Sequence, residues 1–251
     1  MPKVRRHALV AAVSLLALLG SAPPALPAAL PVAAPVLAPI TAHHHGNGVL
    51  HVTSSNWSGY AATGGKFTSV KASWVQPAVS CTSADAWSAF WVGLDGDGSK
   101  TVEQIGTEAD CSSGSPVYSS WYEMYPSYPV NFRNSVQPGD HFTASVTTDG
   151  AGSFTLTLTN ATAGWTRSVN KTLQDATLAS AEVIAEAPSS LFSVLPLADF
   201  GTVDFTGADV NGQNLGASNA SSIDMAEGGV TRTTTSELGN GTDFSVTWHH
   251  S

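Results

Sequence analysis

From about residue 49 onward, apolar and polar side chains alternate with period two, in short runs separated by turn residues. Phe142, Ala144 and Val146 alternate with Thr143, Ser145 and Thr147. Phe154, Leu156 and Leu158 alternate with Thr155, Thr157 and Thr159. A period of two puts the two sets on opposite faces of a strand, and Thr, Val and aromatic residues suit a pleated, half-buried surface. Further runs read as strands at 67–75, 89–94, 117–125, 168–172, 181–186, 201–205 and 244–248, with 101–106 as the natural hairpin partner of 89–94. Gly64-Gly65, Asp149-Gly150, Asn211-Gly212 and Asn240-Gly241 mark turns between them. Many short strands with little helix predict an all-β antiparallel sandwich or barrel. No repeat of fixed period is present, which disfavours a propeller or solenoid.

Composition narrows this further. Charged residues are 12% of the chain, too few to build the solvent faces of long helices, so a helical bundle is excluded. Seven Trp, nine Phe and five Tyr supply enough apolar surface for a large core, which excludes disorder. Every carboxylate lies after residue 42, against seven Lys and Arg in the same stretch. An acidic body with so few cations argues against nucleic acid as a partner. In acid its carboxylates become neutral and few cations remain, so self-repulsion at low pH stays small.

The N-terminus reads as an address. Met1–Arg6 is basic, residues 8–20 are apolar, and Ser21-Ala22-Pro23-Pro24-Ala25 supplies small residues, the pattern of a secretory signal over 1–25. The apolar run is too short to span a bilayer. The expected product is secreted and extracellular, off the membrane once the signal is removed. Residues 26–50, rich in Ala and Pro, read as a linker or short pro-segment, with His43-His44-His45 in a solvated loop; 51–251 reads as a single β-sandwich domain. In an exported chain Cys81 and Cys111 are expected to pair.

The familiar catalytic constellations are absent: there is no G-x-S-x-G, H-E-x-x-H or P-loop. Asp95-x-Asp97 lacks the oxygen ligands of a calcium loop, and no metal or cofactor is expected. Beyond His51, the body carries only His141, His249 and His250, which leaves carboxylates and amides for chemistry. Three polar features interrupt apolar strands: Glu103-Gln104, Glu123, and the pair Glu182 and Glu186. Four residues apart in a strand, Glu182 and Glu186 share a face with Ile184 between them. Pattern alone fits either a desolvated acid of raised pKa or a solvent-facing edge. Asn56, Asn160, Asn170, Asn219 and Asn240 sit in N-x-[ST] sequons.

Six motifs in order resemble the eqolisins, the glutamic peptidases: SNWSGY (55–60), FWVGLDG (90–96), EQIG (103–106), WYEMYP (121–126), VQPGD (136–140) and AEVIAE (181–186). The resemblance runs from about residue 54 to 206 and implies a lectin (concanavalin A)-like sandwich and an acid-active endopeptidase on polypeptide substrates. It implies Gln104 and Glu186 as the catalytic pair, with Trp57, Trp91, Trp121, Asp95 and Glu123 in supporting positions. The chain departs from the fungal pattern at Ser99, where a Cys is expected, and at Ala187-Pro188, where an E-D-x-F run is expected. With those departures it is similar to a secreted, bacterial-type, monomeric member.

Peptide hydrolysis needs an activated water and a stabiliser for the tetrahedral oxygen. On this reading Glu186 is general base and then acid, and the Gln104 amide positions the water and stabilises the oxyanion, with a pH optimum near the pKa of Glu186. The Trp residues suit a cleft lining and a core equally, and Asp95 suits either site orientation or the turn. Two other classes remain: a carbohydrate-binding lectin-like module, and a glycosidase working through two carboxylates such as Glu123 and Glu186.

Overall fold

Alternation and backbone pairing together fold the chain into two layers. The structure, a computed structural model, describes residues 43–44, 50–190 and 193–251. The expected signal segment, and the Ala/Pro-rich stretch apart from 43–44 and Leu50, lie outside the described residues. The strands in chain order are β1 (His43–His44), β2 (Leu50–Ser54), β3 (Trp57–Thr63), β4 (Ser69–Val75), β5 (Ala89–Leu94), β6 (Val102–Ser112), β7 (Ser115–Tyr125), β8 (Val130–Asn131) and β9 (His141–Thr148). Then come β10 (Ser153–Asn160), β11 (Trp165–Thr172), β12 (Ser180–Glu186), β13 (Thr202–Val210), β14 (Gln213–Asn214), β15 (Ala220–Glu227), β16 (Val230–Thr235) and β17 (Phe244–Trp248).

The first layer runs β8-β7-β6-β5-β12-β3-β15-β2-β1. The second runs β11-β10-β9-β4-β13-β17-β16. The β15–β16 hairpin joins them, with a register shift between Met225 and Ala226 that bends the ladder from one layer to the other. This is the expected antiparallel sandwich, with one exception: β15 and β2 pair in parallel. Asn211 and Gly212, both at positive φ, form the two-residue turn between β13 and β14 that the Asn-Gly pair signals. His43 and His44 are not in a loop as expected but pair with His51 and Leu50. Cys81 and Cys111 are disulfide-bonded, as expected of an exported chain.

The inner faces meet in one core. Phe90, Val92, Leu94, Ile105 and Val183 of the first layer pack with Val70, Trp74, Phe142, Leu156 and Phe205 of the second. The register sets Trp74 opposite both Phe142 and Phe205, and its ring lies 6.0 and 5.9 Å from theirs. The outer face of the second layer is clad in Thr and Ser, with cross-strand hydroxyl contacts Thr157–Ser168 (3.0 Å), Thr159–Thr166 (3.0 Å) and Ser73–Thr143 (2.8 Å). The other face of the first layer is different. It carries a second apolar cluster of Val52, Trp57, Ala61, Ala89, Trp91, Trp121, Ile184 and Ile223, and the buried polar groups described next lie among it.

Candidate active site

Directly paired residues of neighbouring strands share a face. On the outward face of β7-β6-β5-β12-β3 the register therefore lines up three rows. The first is Glu123–Gln104–Gly93–Glu182–Ala61 and the second Trp121–Gly106–Trp91–Ile184–Gly59. The third is Ser119–Glu108–Ala89–Glu186–Trp57. Gln104 and Glu186 thus share a face, two strands and two rows apart. Gly106 lies beside the diagonal between them because nothing larger fits: a Cβ there would lie 2.2 Å from the Phe90 carbonyl oxygen. Trp91 occupies the diagonal itself. Its ring leans over Gly93, next to Gln104, while its indole N–H donates to Glu186 Oε2 at 2.8 Å.

Each of the pair is held by a partner. Gln104 Nε2 donates to Glu123 Oε2 at 2.6 Å, so the amide NH2 is oriented toward that carboxyl and one N–H is left over. Glu186 accepts a second bond, at 3.2 Å, from Asn56 Nδ2. The Ser54 hydroxyl donates to Asn56 Oδ1, which fixes that amide with its NH2 toward Glu186. Trp57 Nε1 approaches Glu186 closely enough to favour its ionised form, without completing a hydrogen bond of good geometry. Its ring meets Trp91 edge-on, centroids 5.1 Å apart.

Burial dominates the electrostatics. It pushes Glu186 up to about 8, against the opposing N–H donors of Trp91, Trp57 and Asn56 and with a small further push from Glu108. Burial also pushes Glu123 up to about 8, opposed by the Gln104 bond and reinforced by the charges of Glu186 and Glu108. Glu182 is fully buried, its oxygens complete no hydrogen bond of good geometry, and burial holds it well above the usual carboxylate range. Glu108, bonded by the Ser119 hydroxyl at 2.7 Å, and Asp110 are raised by burial too. Glu103, adjacent to Gln104 in sequence, points to the opposite face and into the core, where burial and then Asp95 push it up to about 8.

Measured against the expectations, the structure brings Gln104, Glu123, Glu186, Trp57, Trp91 and Trp121 to one face. Glu182 and Glu186 are buried and do not form a solvent-facing edge. Asp95 belongs to the architecture: at φ 62, its carboxylate accepts bonds from Thr177 N and Oγ1, Leu178 N and Ala179 N at 2.7–2.9 Å. It thereby pins the segment that feeds β12. Two groups gain a role that the sequence does not assign them. Asn56 belongs to the SNWSGY motif and to a sequon, and its side chain is buried against Glu186, as Asn160 is against Asp140. Glu108 was available from periodicity, four residues after Gln104 and hence on its face. Among the described residues no group of His, Cys, Asp and Glu is arranged to hold a metal ion, and no helix is long and apolar enough to cross a membrane.

Comparison with known proteins decides the family, since the peptidase A4 profile matches residues 55–248. The chain belongs to the peptidase A4 (eqolisin) family. This eqolisin is 31% identical to aspergillopepsin-2 of Aspergillus niger over 215 residues, 74% of this chain and 76% of that one. It is 37% identical to scytalidopepsin B of Scytalidium lignicola over 112 residues, 44% of this chain and 42% of that one. Its fold superposes on scytalido-glutamic peptidase bound to a transition-state analogue inhibitor with a TM-score of 0.70 and 28% identity, covering 78% of this chain and 98% of that one. Aspergilloglutamic peptidase of A. niger gives a TM-score of 0.59 and 30% identity, covering 65% and 99%. The eqolisin is a peptide hydrolase of the glutamic type, which sets aside the lectin and glycosidase readings.

Proposed function

We propose that this eqolisin is a secreted, acid-active endopeptidase in which Gln104 and Glu186 form the catalytic dyad. The observation that carries the reading is the concentration of unsatisfied polar atoms on one sheet face. Gln104 Oε1, Glu123 Oε1, Trp57 Nε1, Trp121 Nε1 and both oxygens of Glu182 are buried there without a hydrogen bond of good geometry. Buried polar groups are generally paired in folded proteins, so a face that leaves six atoms short of a good hydrogen bond is suited to meet a polar chain.

The raised pKa of Glu186 changes the order of proton transfers expected from the sequence. In acid a carboxyl with pKa about 8 is protonated, so it enters the reaction as an acid and acts as a base in the same step. One oxygen gives its proton to the scissile carbonyl oxygen while the other takes a proton from the attacking water, forming a neutral tetrahedral diol. The spare N–H of Gln104 donates to the oxygen on which charge develops, and Gln104 Oε1 accepts the second O–H of the water. In the second step the C–N bond breaks. Glu186 protonates the leaving nitrogen and takes a proton back from one hydroxyl of the diol, which releases an acid and an amine and restores the carboxyl. No metal or cofactor enters this scheme.

The same reading takes residues 1–25 as the export signal, 26–50 as linker or pro-segment, and 51–251 as one monomeric catalytic domain on polypeptide substrates. The test is cleavage of an acid-denatured protein near pH 3 by purified wild type, Glu186→Gln and Gln104→Ala, each checked for fold by circular dichroism. Loss of cleavage in both variants, with EDTA without effect on the wild type, supports the dyad. Undiminished cleavage by either folded variant removes it.

A further inference from the structure

Among the described basic residues only Arg232 is buried, at 4% exposure. It lies on β16, outside the motif-bearing stretch, and β16 is stitched to β3 by contact between the Ser58 and Thr233 hydroxyls and by a bond from Gly59 N to Thr235 Oγ1. Its guanidinium donates from Nη1 to the carbonyl of Ser55 at 3.5 Å and from Nη2 to the carbonyl of Leu195 at 3.2 Å. Among the described residues its one ion pair, to Glu227 at 3.6 Å, is with a carboxylate that is 62% exposed, so charge pairing is a weak reason for burying it.

The two carbonyls define what the residue does. Ser55 precedes Asn56, whose side chain bonds Glu186 and whose carbonyl accepts the N–H of Ala187, the residue after Glu186. Leu195 lies in the segment that leaves β12 beyond Glu186, and its own N–H donates to the Pro188 carbonyl. One planar cation thus grips the backbone on both approaches to Glu186: the turn that presents Asn56 and the segment that follows the strand. A guanidinium spans two carbonyls in a fixed fork, and an ammonium does not.

We infer that Arg232 is a positioning residue for catalysis, which clamps the 54–57 turn to Leu195, itself bonded to Pro188, so that the Asn56 amide stays on Glu186. The inference rests on the proposed dyad for its kinetic consequence, while its structural consequence is independent of activity.

The test compares wild type, Arg232→Lys and Arg232→Met. For Arg232→Met, kcat on a protein substrate falls roughly 10–100-fold with KM little changed, because misplacement at the reacting group costs rate more than binding. Arg232→Lys, which reaches one carbonyl but not both, lies between. Independently of cleavage, the Asn56 side-chain amide protons, followed by NMR, exchange at least about tenfold faster in Arg232→Met than in wild type at matched global stability. Wild-type rates in both variants with unchanged Asn56 exchange overturn the inference. A wild type that cleaves nothing overturns the dyad instead, and the exchange measurement still decides for or against the clamp. Should Arg232→Met fail to fold, Arg232→Lys carries both readouts, and wild-type values there count against the clamp.

Discussion

The two layers of the sandwich follow different rules. In the second layer β10 is buried on alternate residues, with Phe154, Leu156 and Leu158 inward and threonines outward, and its polar side chains find partners across the strands. In the first layer β5 and β12 are buried along their whole length, and the outward face of the layer holds Trp57, Trp91, Trp121 and a group of carboxyls with raised pKa. The hydroxyl-clad face pairs its side chains across the strands, as a scaffold does. The outward face of the first layer leaves several buried polar atoms short of a good hydrogen bond, which destabilises the protein and, on the proposed function, leaves them for a substrate.

Substitutions test that division. The largest effect is expected at Glu186: Glu186→Gln lowers kcat by roughly 10⁴-fold, the upper range for a lost acid–base group, with an unchanged far-ultraviolet spectrum. If the variant unfolds instead, Glu186 belongs to the scaffold and the contrast between layers is lost.

Next comes the pH dependence of stability. Glu103, Glu123 and Glu186 each have a folded pKa of about 8 against 4.5 for the free side chain. Their preference for the protonated form contributes fully below pH 4.5 and is lost as pH rises through 8, so the melting temperature should fall across that window. Glu103→Gln, which lies off the active face, should remove on the order of 4 kcal/mol of that loss and leave activity in acid intact. A melting temperature flat from pH 4 to 9 would contradict the burial described.

Gln104→Ala should cost about 10²–10³-fold in kcat, the usual penalty for losing an oxyanion donor. Trp91→Phe removes an N–H that favours the ionised form of Glu186. It should therefore raise that pKa and move the alkaline limb of the kcat/KM profile up by about one pH unit. A limb that moves down would mean that Trp91 chiefly excludes water. Smallest of all is Thr157→Ala on the hydroxyl-clad face, expected to change stability by less than about 0.5 kcal/mol and activity not at all, as a melting curve and one rate measurement will show.

The same contrast explains what could be read from the sequence. Strands β4, β9 and β10 were legible because one face is wet and the other dry, so that Phe142, Phe154 and Leu156 recur with period two. β5 and β12 were legible as short apolar runs. β3, β15 and β16 were not singled out. β3 is packed on both faces, so no alternation marks it. β15 mixes Ile223 and Met225 with Ser, Asp and Glu, β16 is mostly Thr with Arg232, and their burial depends on pairing with β2, β3 and β17, over 100 residues away in the case of β2 and β3. At the site, a raised pKa for Glu186 was one of two readings open to an ionisable residue in an apolar run, and its place beside Gln104 on one face was suggested only by family resemblance. The Asn56 bond was not, because a contact spanning 130 residues leaves no local trace.

The threonine wall bears on how such a molecule survives in a crowd of its own kind. To be cut by a peptidase, a chain must lie extended and unpartnered, yet β4, β9 and β10 are each hydrogen-bonded to a neighbour on both sides. Cutting there would first require peeling a strand from the middle of a layer, so cleavage of one copy by another is expected first in segments outside the ladders.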